Sequence, residues 1–205
     1  MSHELIPESL NVSRETLRRL EVFEQVIRKW NPKINLVSKS SLEQLWTRHV
    51  ADSIQVFRCT EAPDHWVDIG SGGGFPGLIV AILAAEEAPQ MRVTLIESDQ
   101  RKSAFLRTAA RECGATVKVV TERIEQAEPQ GAGVLSARAL ADLSLLLEFA
   151  ERHLGSEGTA LFPKGESWKK EVDNARRQWR FDAEPVRSLT EPEAVILKIR
   201  GVARV

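Results

Sequence analysis

Five glycines fall within eight residues at Gly70-Ser71-Gly72-Gly73-Gly74-Phe75-Pro76-Gly77, directly behind the apolar run Trp66-Val67-Asp68-Ile69. A buried strand that enters such a loop and leaves it through the apolar run Leu78 to Ala85 has few ways to fold. Glycine reaches positive φ without strain and lets a ligand come close to the backbone. Pro76 suits the first turn of the following helix, whose free N–H groups then point back at the loop. The pattern predicts a nucleotide-type cofactor site between a strand and a helix.

The rest of the chain repeats this alternation. Strand-like runs occur at His65–Ile69, Arg92–Glu97, Thr116–Thr121, Gly133–Ala137 and Thr159–Pro163, with helical runs at Gly77–Glu87, Lys102–Cys113 and Leu140–His153 between them. Residues 122–132 are irregular. Gly114 and Gly155 are placed as helix C-caps. A charged helix near Glu166–Trp179 precedes Phe181–Leu189 and Ala194–Arg200, a hairpin-like pair joined by Thr190-Glu191-Pro192-Glu193 that closes the sheet with an antiparallel strand. The expected fold is α/β and Rossmann-like: a mostly parallel seven-stranded sheet with helices on both faces.

Residues 1–62 read as an N-terminal helical extension and 63–205 as the main domain. Ser13 caps a helix with Leu17, Leu20, Phe23, Val26, Ile27 and Trp30 at helical spacing, and Asn31-Pro32 stops it. A second helix is expected over Leu42–Phe57. A chain of 205 residues suits one core with an appendage. The start, Met1-Ser-His-Glu-Leu-Ile-Pro, has no basic region followed by an apolar core, and no apolar run is long enough to cross a bilayer. A cytoplasmic monomer is the expectation. Cys59 and Cys113 read as two reduced thiols, and no Cys/His group has zinc spacing, so no metal is expected. The net charge of −1 advertises no nucleic acid. Basic residues do cluster around Arg28–Arg48 and Lys164–Arg180, as solvated helix faces or as a local RNA surface.

Gly72 to Gly77 fits a dinucleotide loop, but Asp68, Gly70, Gly72 and Gly74 also spell acidic-x-Gly-x-Gly-x-Gly. A carboxylate at the strand end repels a pyrophosphate and tolerates a sulfonium, which favours S-adenosylmethionine over NAD. Glu97, at the end of the second strand, is placed to accept hydrogen bonds from ribose hydroxyls, with Asp99 as a substitute. Ile124 is placed to pack on adenine, and Glu125 or a backbone amide to read its amino group. The fourth strand ends in Ser136-Ala137-Arg138-Ala139, without the Asn/Asp-Pro-Pro-aromatic motif of many adenine- and amide-directed methyltransferases. Arg138 suits a phosphate, the cofactor carboxylate or a structural carboxylate pair.

These motifs resemble, in order along nearly the whole chain, the bacterial small-subunit rRNA guanine-N7 methyltransferases, the glucose-inhibited division protein B family. The resemblance is carried by Trp30-Asn31-Pro32-Lys33-Ile34-Asn35-Leu36-Val37, Arg48-His49-Val50-Ala51-Asp52-Ser53, the loop Asp68 to Gly77, Ile96-Glu97-Ser98 with Arg101-Lys102, Arg123-Ile124-Glu125, Ser136-Ala137-Arg138-Ala139 and Lys164-Gly165. Two departures are visible: Val37 stands where the family has Thr, and the tail beyond Arg200 is short. The resemblance implies cofactor contacts at Gly70, Phe75, Ile124, Glu125 and Arg138, to which the reading of the residues adds Asp68, Gly72 and Glu97.

The implied reaction is methyl transfer from S-adenosylmethionine to N7 of a guanine in the 530 loop of 16S rRNA, naked or in a 30S particle, leaving S-adenosylhomocysteine. N7 carries a free lone pair and loses no proton before attack, so no general base is required. Arg138, His49 and Asp52 are expected near the acceptor as positioning groups; His49 and Asp52 could equally brace each other. Lys33, Lys39, Arg48, Lys164, Lys169 and Lys170 are candidate RNA contacts, and Trp46, Trp168 or Phe75 a stacking face. Three other functions fit parts of the chain. A small-molecule methyltransferase leaves the N-terminal segment unexplained. An NAD-dependent oxidoreductase lacks a Tyr-x-x-x-Lys signature. A non-catalytic ribosome-assembly protein would have no need of an intact loop.

Overall fold

The computed structural model describes residues 6–205. The opening residues 1–5, on which part of the reading of the N-terminus rests, lie outside the described residues. A seven-stranded sheet has the order β3-β2-β1-β4-β5-β7-β6, with β1 His65–Ile69, β2 Arg92–Ile96, β3 Lys118–Val120, β4 Ala132–Ser136, β5 Leu154–Lys164, β6 Trp179–Arg187 and β7 Val195–Arg204. Strands β1 to β5 pair in parallel; β7 runs antiparallel to both β5 and β6. The chain leaves β1 for β2 on one side and later returns to β4 on the other. Ligands of open α/β sheets bind at such a switch point, outside the carboxyl ends of the strands.

Each sheet face carries its own apolar core. On one face α1 (Arg14–Ile34), α3 (Ala51–Arg58), α4 (Gly77–Glu87) and α5 (Gln100–Glu112) pack with Trp66, Val93, Leu95 and Val134. On the other, α6 (Leu143–His153) and α7 (Trp168–Ala175) cover Val67, Ile69, Ile96 and Leu135. The period-two alternation of a strand explains the division. Among the described residues no helix is long and apolar enough to cross a membrane. Cys59 and Cys113 are unbridged, and burial pushes their thiols up to about 11 and about 12.

Four local expectations are corrected. Helix α1 runs through Pro32 to Ile34 instead of stopping at Asn31. The missing Pro N–H falls in the last turn, and Asn31 ties off the end. Its Oδ1 accepts from the amides of Leu36 (2.8 Å) and Val37 (2.9 Å), and its Nδ2 donates to the Val37 carbonyl (3.0 Å). The Leu42–Phe57 pattern is also not one helix. It divides into α2 (Lys39–Glu43), a π-helical turn Leu45–Val50, and α3. Apolar Trp46, Val50 and Ile54 recur every four residues, a spacing that an α-helix and a π-helical turn both accommodate, so periodicity does not reveal it; such bulges recur at functional sites. Gly155 is a residue of β5, not a C-cap, and Leu154 ends α6. Helix α7 is shorter than Glu166–Trp179, because the chain turns at Arg176–Gln178 into β6.

Alternation along β1 puts Asp68 on the face of Trp66, beneath α4, and it has no exposed surface. Its Oδ1 accepts from the Ser136 hydroxyl (2.6 Å), which in turn accepts from the Trp66 indole N–H (2.9 Å), so the carboxylate links β1 to β4. Burial pushes its pKa up to about 7, against the Ser136 hydroxyl, which favours the charged form. Gly77 seals the other side. A Cβ there would lie 2.5 Å from Asp68 Cβ and 2.6 Å from Leu95 Cδ2.

Two predictions follow from this packing. Gly77→Ala should lower unfolding stability in urea by about 2 kcal/mol, the usual cost of forcing a methyl into a filled core. Asp68 gives a pH signature. Between its ordinary value of 3.8 and about 7, the folded chain keeps a proton that the unfolded chain has lost. Its contribution is therefore greatest below the ordinary value and is lost as pH rises through the folded one. The urea midpoint of Asp68→Asn should fall less steeply over that window than that of the unaltered protein.

Candidate functional site

The carboxyl ends of β1, β2 and β4 open into a cavity of about 750 Å³. Its floor is the glycine loop, held to β2 by the Gly70 and Ser71 amides, both donating to the Ile96 carbonyl (2.9 and 3.2 Å). Gly72 has φ of 48°, and its amide donates to Glu97 Oε2 (2.9 Å). The left-handed backbone is what demands glycine here, since an added Cβ would have no neighbour closer than 3.7 Å.

Glu97 is buried, yet lines the cavity. Its Oε1 accepts from the Asp99 amide (2.8 Å), so each oxygen is fixed by one backbone donor and keeps another lone pair. Asp99 is the N-cap of α5, its Oδ1 accepting from the amides of Arg101 and Lys102, and it is not among the residues lining the cavity. Gly70, Gly72, Phe75, Ile124, Glu125 and Arg138 also line the cavity, as expected positions for cofactor contacts. The loop carrying Ile124 and Glu125 is shaped by two residues that sequence reasoning missed. His153 Nε2 lies 2.9 Å from the Ile124 carbonyl, and Arg152 donates twice to the Ala127 carbonyl (2.8 and 3.1 Å). Asp68 does not line the cavity. The structure places it under the loop as an internal brace, not beside a ligand's positive group.

The second wall comes from the N-terminal segment. Asn31 turns Leu36 and Val37 onto it. The π-helical turn carries His49, whose ring stacks on Phe75 with centroids 4.9 Å apart. Neither His49 nitrogen has a hydrogen-bond partner. Burial, with Arg138 and Arg48 nearby, lowers its pKa to about 4, so it is neutral at physiological pH. His49 and Asp52 do not bond to each other. Asp52 pairs instead with Arg138 (Oδ2 to Nη2, 3.2 Å) and accepts from the Thr190 hydroxyl. Burial raises the Asp52 pKa, while Thr190 and Arg138 hold it down. Arg138 Nη2 also donates to the Arg48 carbonyl (2.9 Å), whereas Nη1 is buried without a partner. Ala139 beside it is left-handed, with φ of 50°. Strained non-glycine backbone of this kind concentrates at functional sites.

The candidate RNA contacts differ in what they can offer. Lys33, Lys39, Lys169 and Lys170 are exposed. Arg48 is half exposed and pairs with Glu191 (2.7 Å). Lys164 is not free: its side chain is only 9% exposed, and Nζ donates to Glu171 (2.7 Å) and to the Ala141 carbonyl (2.8 Å). Of the three aromatic candidates for stacking, only Phe75 lines the cavity. Trp46 is buried with its indole N–H on Glu24 (2.7 Å), and Trp168 packs against the α6–α7 core.

Among solved structures, the fold is similar to an S-adenosylmethionine-dependent methyltransferase from Aquifex aeolicus, at a TM-score of 0.60 and 12% identity over 87% of this chain and 98% of that one. A ribosomal protein L11 methylase from Lactobacillus delbrueckii subsp. bulgaricus gives 0.57 and 14% over 80% and 79%. Sequence relatives lie much closer. A ribosomal RNA small subunit methyltransferase G of Ruegeria sp. (strain TM1040) is 65% identical over 96% of both chains. Its counterpart in Ruegeria pomeroyi is 64% identical over 98% of this chain and all of its own length. The GidB family model, described as rRNA small subunit methyltransferase G, matches residues 16–197. The chain belongs to that family.

Proposed function

We infer that the protein methylates N7 of a guanine in 16S rRNA, the 530-loop guanine, using S-adenosylmethionine. Family membership makes it an S-adenosylmethionine-dependent rRNA methyltransferase. The observation that carries the atom assignment is that His49, the histidine lining the cavity, is unfit to remove a proton. His49 has neither a partner to orient it nor a pKa near neutrality. Guanine N7, a lone-pair acceptor, needs no such group.

The residues fit the cofactor. Glu97 offers two fixed oxygens with spare lone pairs to a ribose diol, and the loop at Gly72 leaves its backbone open to close approach. Ile124 provides an apolar face for adenine and Glu125 a polar neighbour for its amino group. When bound, S-adenosylmethionine supplies a methyl group on a positively charged sulfur. The chain's own part is alignment. Phe75 and His49 form a flat, neutral wall, and Arg138 is immobilised by Asp52 and the Arg48 carbonyl. Holding two reactants in register removes the entropy that a bimolecular encounter would otherwise cost. Exposed Lys33, Lys39, Lys169 and Lys170 are the phosphate contacts of this reading.

Labelled S-adenosylmethionine with naked 16S rRNA, and separately with 30S subunits, both from cells lacking the activity, tests this directly. Label at one guanine N7 is expected, and no label in either substrate overturns the reading. Arg138→Ala should reduce transfer by about 100-fold or more while the protein stays folded, with an unfolding midpoint lowered by the loss of Asp52's partner; full activity would remove Arg138 from the site. Because His49 is neutral well below physiological pH, the rate should show no histidine inflection between about pH 6 and 8.

A further inference from the structure

Beside the first cavity lies a second, of about 380 Å³, and Arg138 and Ala139 form the wall between them. Its remaining walls come from distant parts of the chain: Arg48, Asp52 and Gln55 on one side, Lys164 and Glu171 on another, and the turn between β6 and β7. That turn is firmly tied down. Gln55 donates to the Arg187 carbonyl (2.7 Å) and accepts from the Leu189 amide (3.0 Å); Thr190 donates to Asp52; Glu191 pairs with Arg48.

The charges of this cavity cancel. Its cations Arg48, Arg138 and Lys164 are each paired with a carboxylate, Glu191, Asp52 and Glu171. Such a lining is poorly suited to an anion and well suited to a neutral heterocycle that carries both donors and acceptors. One donor is left over, the buried Nη1 of Arg138. Each Asp52 oxygen, holding a single hydrogen bond, keeps a lone pair. Arg138, which carries the spare donor, forms the wall shared with the cofactor cavity, and Asp52, which carries the spare acceptor, is bonded to it.

We propose that the second cavity receives the target base and reads it as guanine, Arg138 donating to O6 and Asp52 accepting from N1–H. This rests on the methyl-transfer reading above. Around a guanine the order is N7, O6, N1. A base with O6 on Arg138 and N1 on Asp52 therefore turns N7 to the shared wall. Adenine presents the reverse, an amino donor at C6 and an acceptor at N1, so it would oppose donor to donor and lone pair to carboxylate. Asp52 is thus a specificity-determining residue, and Thr190 and Gln55 position the wall around it.

The test uses 16S rRNA ligated to carry guanine, inosine or 2,6-diaminopurine at the labelled position. All three keep N7. Inosine lacks only the 2-amino group, whereas diaminopurine keeps that group and exchanges the O6 and N1–H pattern. The unaltered protein should methylate the inosine RNA within about tenfold of the guanine RNA. The diaminopurine RNA should be at least about 100-fold slower. Asp52→Asn, which offers both a donor and an acceptor, should shrink the guanine-to-diaminopurine ratio by about tenfold or more. Calorimetric binding of S-adenosylhomocysteine serves as its check of folding. Equal rates on guanine and diaminopurine RNA with the unaltered protein overturn the proposal, and this comparison needs no variant. So does an Asp52→Asn protein that slows both RNAs by the same factor, as a merely structural role predicts. Absence of label on the guanine RNA itself would instead refute the methyl-transfer reading.

Discussion

A carboxylate sealed between two strands and the first residue of a helix holds the switch point of this sheet together. Asp68 bonds across to Ser136 on β4, Ser136 takes the Trp66 indole, and Gly77 lets α4 settle directly against them. A buried carboxylate is costly to desolvate, and the partners that offset the cost are the neighbouring elements themselves. The crevice above the strand ends is therefore built on a rigid floor. The glycine loop leaves β1 there and the fourth strand delivers Arg138 beside it. Both inherit their positions from the same buried contact.

From that floor the site is assembled by short polar ties, each made to backbone as well as side chain. Glu97 is clamped by two amides, Asn31 ties a whole turn onto the cavity wall, and Arg138 is held by a carbonyl and a carboxylate. Preorganisation of this kind suits a reaction whose difficulty is alignment, not proton transfer. The nearby histidine is accordingly an apolar-faced wall element. It stacks on Phe75, and burial keeps it uncharged.

Local pattern carried much of the architecture. The alternation of strands and helices, the glycine loop and the carboxylate at the end of β2 were all legible because each depends on residues near one another in the chain. The closing antiparallel pair was legible too, from its turn residues. What could not be read depends on partners far away. Lys164 looks like a surface cation until Glu171 and the Ala141 carbonyl are placed against it. The bond between Thr190 and Asp52, and the role of Gln55, leave no trace in spacing. The orientation of Asp68 was available, since the period of a strand puts it on the face of Trp66. The π-helical turn at Leu45–Val50 leaves no signature because the four-residue spacing of Trp46, Val50 and Ile54 fits either kind of helix.

The tie between Asp52 and Thr190 spans 138 residues, and that between Gln55 and Leu189 spans 134. Gly72 of the glycine loop and Glu97, which clamps it, lie only 25 residues apart. The two cavities therefore mature at different points along the chain. One needs the central strands and the N-terminal segment that supplies Leu36, Val37 and His49. The other also needs the hairpin of β6 and β7 to travel back to the N-terminal helices, a long loop to close. During synthesis, a partly made chain can form the glycine-loop cavity before it can form the second.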